Sequence, residues 1–256
     1  MPGKIKKKDV APKSKLVTKV KPKKKPVVQA YPIFLTTVYA RNWKEDPPDK
    51  FDWEQMNNDL KVAILREQVK NPEGMYKSNA AGTWHSDTKL FDWANIENDA
   101  GKKLRAMYSD LIKVYCQGLG ADPTGTFKMH LSAWAMVYKD RGYATPHTHP
   151  NCHFAGVYYV DAGEPSPDMV MATGAKIKPG ELEFVDTRGC QGHQVMGLRM
   201  IPAFRLPAVT GNMLIFPQWL PHFVHPVVMD NEKEAPRVSI SCNAVVGYTP
   251  PEKKDK

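Results

Sequence analysis

No stretch of this 256-residue sequence approaches the roughly 18 uninterrupted apolar residues that a membrane-spanning helix needs. The N-terminus also lacks the apolar segment and small-residue cleavage site of a secretory signal. A soluble, cytoplasmic protein with no membrane partner is expected. Cysteine is scarce: Cys116, Cys152, Cys190 and Cys242 are scattered without a C-x-x-C pair. That spacing argues against a zinc ribbon or a dithiol redox motif and fits buried or idle thiols in a reducing compartment. Internal repeats are missing as well. So is charge of one sign in the body of the chain, although the formal total is +9. Residues 1–30 hold eleven lysines against Asp9 alone, or +10, which leaves −1 for the remainder.

The basicity therefore belongs to an appendage. Its Lys, Pro and Val repeats offer too little apolar surface to offset chain entropy, so a disordered tail is predicted over residues 1–30. Such a tail can attract nucleic-acid phosphates without reading sequence, or simply solubilise or tether the chain. The remaining length suits one substantial core, placed over residues 31–250, with a short charged tail at 251–256.

Within that core, Tyr31 to Tyr39 is β-branched and aromatic and reads as a first strand. Two amphipathic helices follow. The first, from about Trp53 to Val69, places Met56, Leu60 and Ile64 at helical spacing. The second begins near Asp99 and aligns Leu104, Tyr108, Leu111 and Tyr115. Beyond Gly118 the texture turns to strands: Phe127–Tyr138, Phe154–Val160, Glu181–Val185, Met213–Phe216, Phe223–Val228 and Val238–Val245. Six short strands after two helices predict an α+β, mainly β fold. Helices over about 51–120 buttress one outer face of a sandwich or jelly-roll core over about 125–246.

Six of the eight histidines lie between 147 and 225. His147-Thr-His149 sits at a turn leading into a strand, and residues at i and i+2 on extended backbone point the same way. His222, opening a strand far downstream, offers a third imidazole. Three ligands from two places leave open coordination positions, as catalytic metal requires; the bland alternative is loop histidines that cap turns. Arg237-Val-Ser239 lies in a strand, where an arginine is costly to bury without an anion. An Arg fork and a hydroxyl on alternate residues suit a carboxylate.

Taken in order, H-x-H, G-V-Y-Y, G-N-M-L-I-F-P, W-L-P-H and R-V-S-I-S resemble the 2-oxoglutarate/Fe(II)-dependent dioxygenase superfamily over roughly residues 31–246. The nearest group is one found in bacteria and tailed phages, with prolyl-hydroxylase-like features. Ser78-Asn79 and Gly82-Thr-Trp-His-Ser86 extend the likeness ahead of the barrel. The resemblance implies a double-stranded β-helix (jelly roll), with Fe(II), 2-oxoglutarate and O2 as cofactors. It also implies a bacterial cytoplasm, or that of an infected host cell for a phage-encoded protein. By the same resemblance His147 and His222 are metal ligands, and Arg237 with Ser239 clamps the distal carboxylate of 2-oxoglutarate. Tyr138 and Tyr159 fall at pocket positions.

One position departs from the superfamily pattern, which has Asp or Glu two residues after the first histidine. Here it is His149, with His153 or a water as the alternative third ligand. Three neutral imidazoles leave the site one charge more positive than two imidazoles and a carboxylate. His225 reads as a strand-surface residue rather than a ligand. His85 reads as a cap for Asp87, or else as a residue of the site's mouth. Trp134, Tyr138, Tyr159 and Trp219 suit either a pocket wall or core packing. The substrate, a protein side chain such as proline or a small molecule, is not specified by fold-level likeness. A cupin-type enzyme that does not use 2-oxoglutarate would share the barrel and H-x-H but have no need of Arg237-x-Ser239. A non-catalytic virion-associated module would work through the lysine tail.

Overall fold

Along the longest strands, successive side chains face alternately a helix-covered core and an internal cavity, and this period of two organises the protein. The computed structural model describes residues 35–75, 80–93, 99–164, 166–170, 174, 176–187, 194–195, 198–199, 203–229 and 236–252. Its elements run β1 (Tyr39–Asn42), α1 (Trp53–Lys70), β2 (Ala80–His85), a single 3-10 turn (Leu90–Asp92), α2 (Asp99–Gly118), β3 (Thr126–His147) and β4 (Phe154–Asp161). Then come β5 (Met169–Val170), β6 (Lys176–Ile177), β7 (Leu182–Val185), β8 (Gln194–Val195), β9 (Leu198–Arg199), β10 (Ala203–Leu206), β11 (Asn212–Pro217), β12 (His222–Val224) and β13 (Arg237–Thr249). The main sheet is ordered β1-β11-β4-β13-β3-β12-β7-β10, with β2 added to β3. All of its pairings are antiparallel. β5–β6 and β8–β9 form two short ribbons. The sheet curls so that β3, β4, β7, β11, β12 and β13 all contribute to the walls of one cavity. This is the expected mainly β jelly roll with helical support.

The helices lie where their apolar faces require. Leu60 and Ile64 of α1 and Leu104 of α2 are fully buried, each contributing about 1.5–3 kcal/mol of burial. They pack against Ala135, Val137, Tyr158, Ile215 and Ile240, the outward-facing residues of the sheet. Polar atoms in this layer are paired across it. Trp53 Nε1 donates to the Tyr158 hydroxyl at 2.9 Å, that hydroxyl donates to Asn57 Oδ1 at 2.9 Å, and Asn57 Nδ2 donates to Val160 O at 2.9 Å. Tyr108 of α2 donates to Ile240 O at 2.6 Å. Asp52 caps α1 by accepting from Gln55 N at 2.9 Å. No helix among the described residues is long and apolar enough to cross a membrane.

Three local expectations change. The first strand begins only at Tyr39; Leu35–Val38 form no strand, and residues 31–34 lie outside the described residues. Tyr115 donates to Thr37 O at 2.7 Å, so a side chain occupies the carbonyl that a strand neighbour would need. The strand expected to end at Tyr138 runs on to His147. It crosses Lys139-Asp140-Arg141-Gly142 through a residue with positive φ, Arg141 at 61°, whose N–H donates to Val227 O at 2.7 Å. β2, whose Ala-Ala-Gly-Thr sequence carries little β signal, is held by pairing with this extended strand. The lysine tail at 1–30, Ser78-Asn79, Cys190 and residues 253–256 lie outside the described residues.

Candidate metal centre and cofactor pocket

β3 ends and β12 begins on the same rung of the sheet, with His147 directly opposite His222. His149 lies two residues past the end of β3, in a turn built on Pro150 and on Asn151, whose φ is 63°. Asparagine tolerates that left-handed conformation better than other chiral residues. The loop is laced to the approach of β12: His149 N–H donates to Gln218 O at 3.0 Å, and the Cys152 thiol donates to His149 O at 3.4 Å. The pair thus closes a strand rather than opening one, and its second member is placed by the loop. One ring nitrogen from each of the three histidines lies within 4.8 Å of the others, and His149 Nε2 stands 3.1 Å from His222 Nε2.

The other nitrogens are held in place. His147 Nδ1–H donates to Thr145 O at 2.7 Å and His222 Nδ1–H to Leu220 O at 2.9 Å, each to the carbonyl two residues back. Such partners fix the tautomer and turn Nε2 toward a metal. Burial disfavours the imidazolium form of all three. It lowers the pKa of His147, with the bond to Thr145 O acting in the opposite direction. Burial first and His147 second bring His149 down to about 4, while Asn243 beside it raises it. Burial and then His147 bring His222 down to about 3. At neutral pH the rings are uncharged bases, the form that binds metal.

The triad forms part of the lining of a cavity of about 250 Å³ that Arg237 also lines. This arginine is 2% exposed. Its Nη1 donates to Gly180 O, and its guanidinium carbon lies 4.8 Å and 5.2 Å from the ring centroids of Tyr138 and Tyr159. Nε of Arg237 and the hydroxyl of Tyr159 are both buried without a hydrogen-bond partner. Burial raises Tyr138, with Arg237 opposing, and raises Tyr159 to about 12, so both phenols stay neutral. Room for the guanidinium comes from Gly180, at φ 72°, where a Cβ would collide with Nη1. Ser239 lines the same cavity, two residues along β13.

The remaining sequence candidates divide. Trp134 lines the cavity, near parallel to His85 at 5.7 Å and to His149 at 5.8 Å between ring centroids. His85 is buried and lines the cavity too, so it is more than a surface cap. Trp219 is 53% exposed and does not line the cavity, because the turn before β12 carries it outward. His153 accepts from Val246 N–H at 2.9 Å and lies outside the triad. His225 pairs with Glu183 at 2.8 Å, and Arg205 joins the same carboxylate at 2.6 Å. Sequence reasoning passed over Ser241 and Asn243, which line the cavity. The polar-apolar alternation that begins at Arg237-Val-Ser continues through them.

Residues 132–243 match the model of the family described as "Putative 2OG-Fe(II) oxygenase". The match covers somewhat less than half of the chain and marks a likeness to that family. The matched segment contains all three histidines, Arg237 and Ser239. Among solved structures, a Pseudomonas putida prolyl-4-hydroxylase is 13% identical, with 85% of this chain and 94% of that chain covered at a TM-score of 0.50, a likeness of fold. HygX from Streptomyces hygroscopicus, solved with nickel and 2-oxoglutarate bound, is 9% identical over 81% of this chain and 82% of its own, at a TM-score of 0.43. No curated protein matches the chain in sequence. The family's cofactors, Fe(II) and 2-oxoglutarate, fit what the cavity offers. Three neutral imidazoles converge in it, and a buried cation with an unsatisfied N–H lines it too.

Proposed function

We propose that this protein carries a 2OG-Fe(II) oxygenase domain over residues 31–250 and is a hydroxylase in which His147, His149 and His222 hold Fe(II) and Arg237 with Ser239 holds the distal carboxylate of 2-oxoglutarate. When bound, iron and 2-oxoglutarate supply the oxidation of a substrate C–H bond by O2, with release of succinate and CO2. The observation that carries the reading is that a histidine triad and a buried arginine with an unpartnered Nε share one cavity. Within it, the histidine rings arrive neutral and pre-oriented, so a divalent ion displaces no proton at neutral pH. Arg237 supplies two-pronged recognition of a carboxylate, and the buried Tyr159 hydroxyl is a further donor for it. Tyr138 and Tyr159 wall the guanidinium from solvent, which strengthens any charge pairing there.

The substrate we propose is a protein side chain, such as proline. The cavity lining supports an uncharged reacting group, since it includes no Asp, Glu or Lys. The charge balance of the metal centre differs from that of a site with a carboxylate ligand, since three imidazoles contribute none of the negative charge. Anaerobic reconstitution with Fe(II), followed by optical titration with 2-oxoglutarate, tests the reading. A weak visible charge-transfer band is expected, and folded, iron-loaded protein that shows no band would overturn it. Turnover with proline-containing peptides, read as a mass gain of one oxygen, tests the substrate class.

A further inference from the structure

Metal-binding imidazoles need both nitrogens accounted for: one faces the ion, and the other donates to an acceptor that fixes the ring. His147 and His222 meet this need through their own strands, by the carbonyls of Thr145 and Leu220. His149 stands in a loop after β3. Its Nε2 faces His222 Nε2, and its own backbone is committed elsewhere: the N–H to Gln218 O, and the carbonyl to the Cys152 thiol. Asn243 lines the same cavity as the His149 ring. Asn243 projects from the cavity face of β13, in register with Ala155 of β4 and Ser132 of β3. Its Oδ1 is buried and has no hydrogen-bond partner. An unmet acceptor therefore shares the cavity with the one histidine of the triad whose ring has no bond to a backbone carbonyl among the described residues.

We infer that Asn243 is the positioning residue for His149: its Oδ1 accepts from His149 Nδ1–H, fixes the tautomer, and leaves Nε2 to the metal. The inference rests on the reading of His149 as a ligand. It gives the amide a role that neither the triad nor the carboxylate clamp requires. A neutral acceptor is also the fitting one. It holds the ring without adding negative charge behind it, so the imidazole binds as an ordinary neutral donor. A short strand-borne side chain suits the task because β13 is fixed on both sides by pairing with β3 and β4.

The test uses the full chain and Co(II) as the probe, since cobalt reports ligand geometry through its visible spectrum. Asn243→Leu keeps the volume and removes the acceptor. Co(II) affinity is expected to fall about 10- to 100-fold, the usual cost of losing an outer partner of a metal-bound histidine, with an altered cobalt spectrum. Asn243→Asp restores an acceptor oxygen at the same place and is expected to recover most of the affinity. His149→Ala separates the two levels. If it binds Co(II) like the wild type, the ligand reading fails; if it loses metal while Asn243→Leu binds normally, only the positioning role fails. Should Asn243→Leu not fold, nitrogen NMR of the metal-free wild type decides: His149 is expected as the Nδ1–H tautomer, and the Nε2–H tautomer would overturn the inference.

Discussion

Replacing Arg237 by methionine separates what this residue does for the fold from what it does for a bound anion. In the ligand-free protein the substitution gives up the donation to Gly180 O, worth about 1.5–3 kcal/mol for a charged donor. It also gives up two contacts with the Tyr138 and Tyr159 rings, about 1 kcal/mol each. Against these losses it removes a buried, unpaired cation whose desolvation costs several kcal/mol, including an Nε that bonds to nothing. The opposing effects are of similar size, so Arg237→Met without ligand is expected to melt within about 4 °C of the wild type, equivalent to about 1 kcal/mol at this chain length. The 2-oxoglutarate complex behaves differently. Truncating one partner of a buried charge pair costs about 2–5 kcal/mol, or about 30- to 4,000-fold in Kd. Calorimetric melting of the apoprotein and anaerobic optical titration of the Fe(II) form measure the two effects separately. A 2-oxoglutarate Kd within threefold of the wild type would refute the clamp. An apoprotein that melts more than about 10 °C lower would show that the arginine belongs to the fold rather than to a ligand.

Acid should destabilise the metal-free protein before it touches most carboxylates. His149 and His222 are lowered from 6.5 to about 4 and about 3, so the unfolded chain binds more protons, and their contribution is complete above about pH 6.5 and lost as pH falls toward the folded values. Urea melts between pH 7 and pH 5 are expected to show falling stability, with a shallower fall in His222→Phe; an identical slope would contradict the assignment. Gly180→Ala places a Cβ against Arg237 Nη1 at a left-handed φ of 72°. It is expected to cost about 1–3 kcal/mol and to weaken 2-oxoglutarate binding along with stability, which thermal shift with and without ligand reads directly. Trp53→Phe leaves the Tyr158 hydroxyl without its donor in the helix-sheet layer. A loss of about 1–3 kcal/mol in denaturant melts is expected, with 2-oxoglutarate affinity unchanged.

Much of the site was legible because its chemistry is written in short-range patterns. His147-x-His149 and Arg237-x-Ser239 each place two functional groups two residues apart, and the strands that follow or contain them are strongly β-branched. The helices were equally plain from the spacing of Leu60, Ile64, Leu104 and Leu111. What escaped was set by distant partners. β2 has an unremarkable sequence and is held by pairing with β3 on both sides of Arg141. Trp219 looked like a wall of the pocket from its place beside His222, yet the direction of a turn residue depends on the loop it closes against, here through Gln218 and His149. Asn243 was passed over for a different reason: a lone amide has no signature until the ring it faces is known.

The strand that carries Arg237, Ser239, Ser241 and Asn243 on one face presents Val238, Ile240, Cys242 and Ala244 to the helices on the other. Sliding β13 by a single residue against β3 and β4 would drive a guanidinium, two hydroxyls and an amide into the apolar layer beneath α1 and α2, and would turn four apolar side chains into the cavity. No such slip could preserve the core while spoiling the site. Any molecule of this protein that has buried its helices correctly has thereby set its catalytic face in register, so folding itself acts as the quality check on the chemistry.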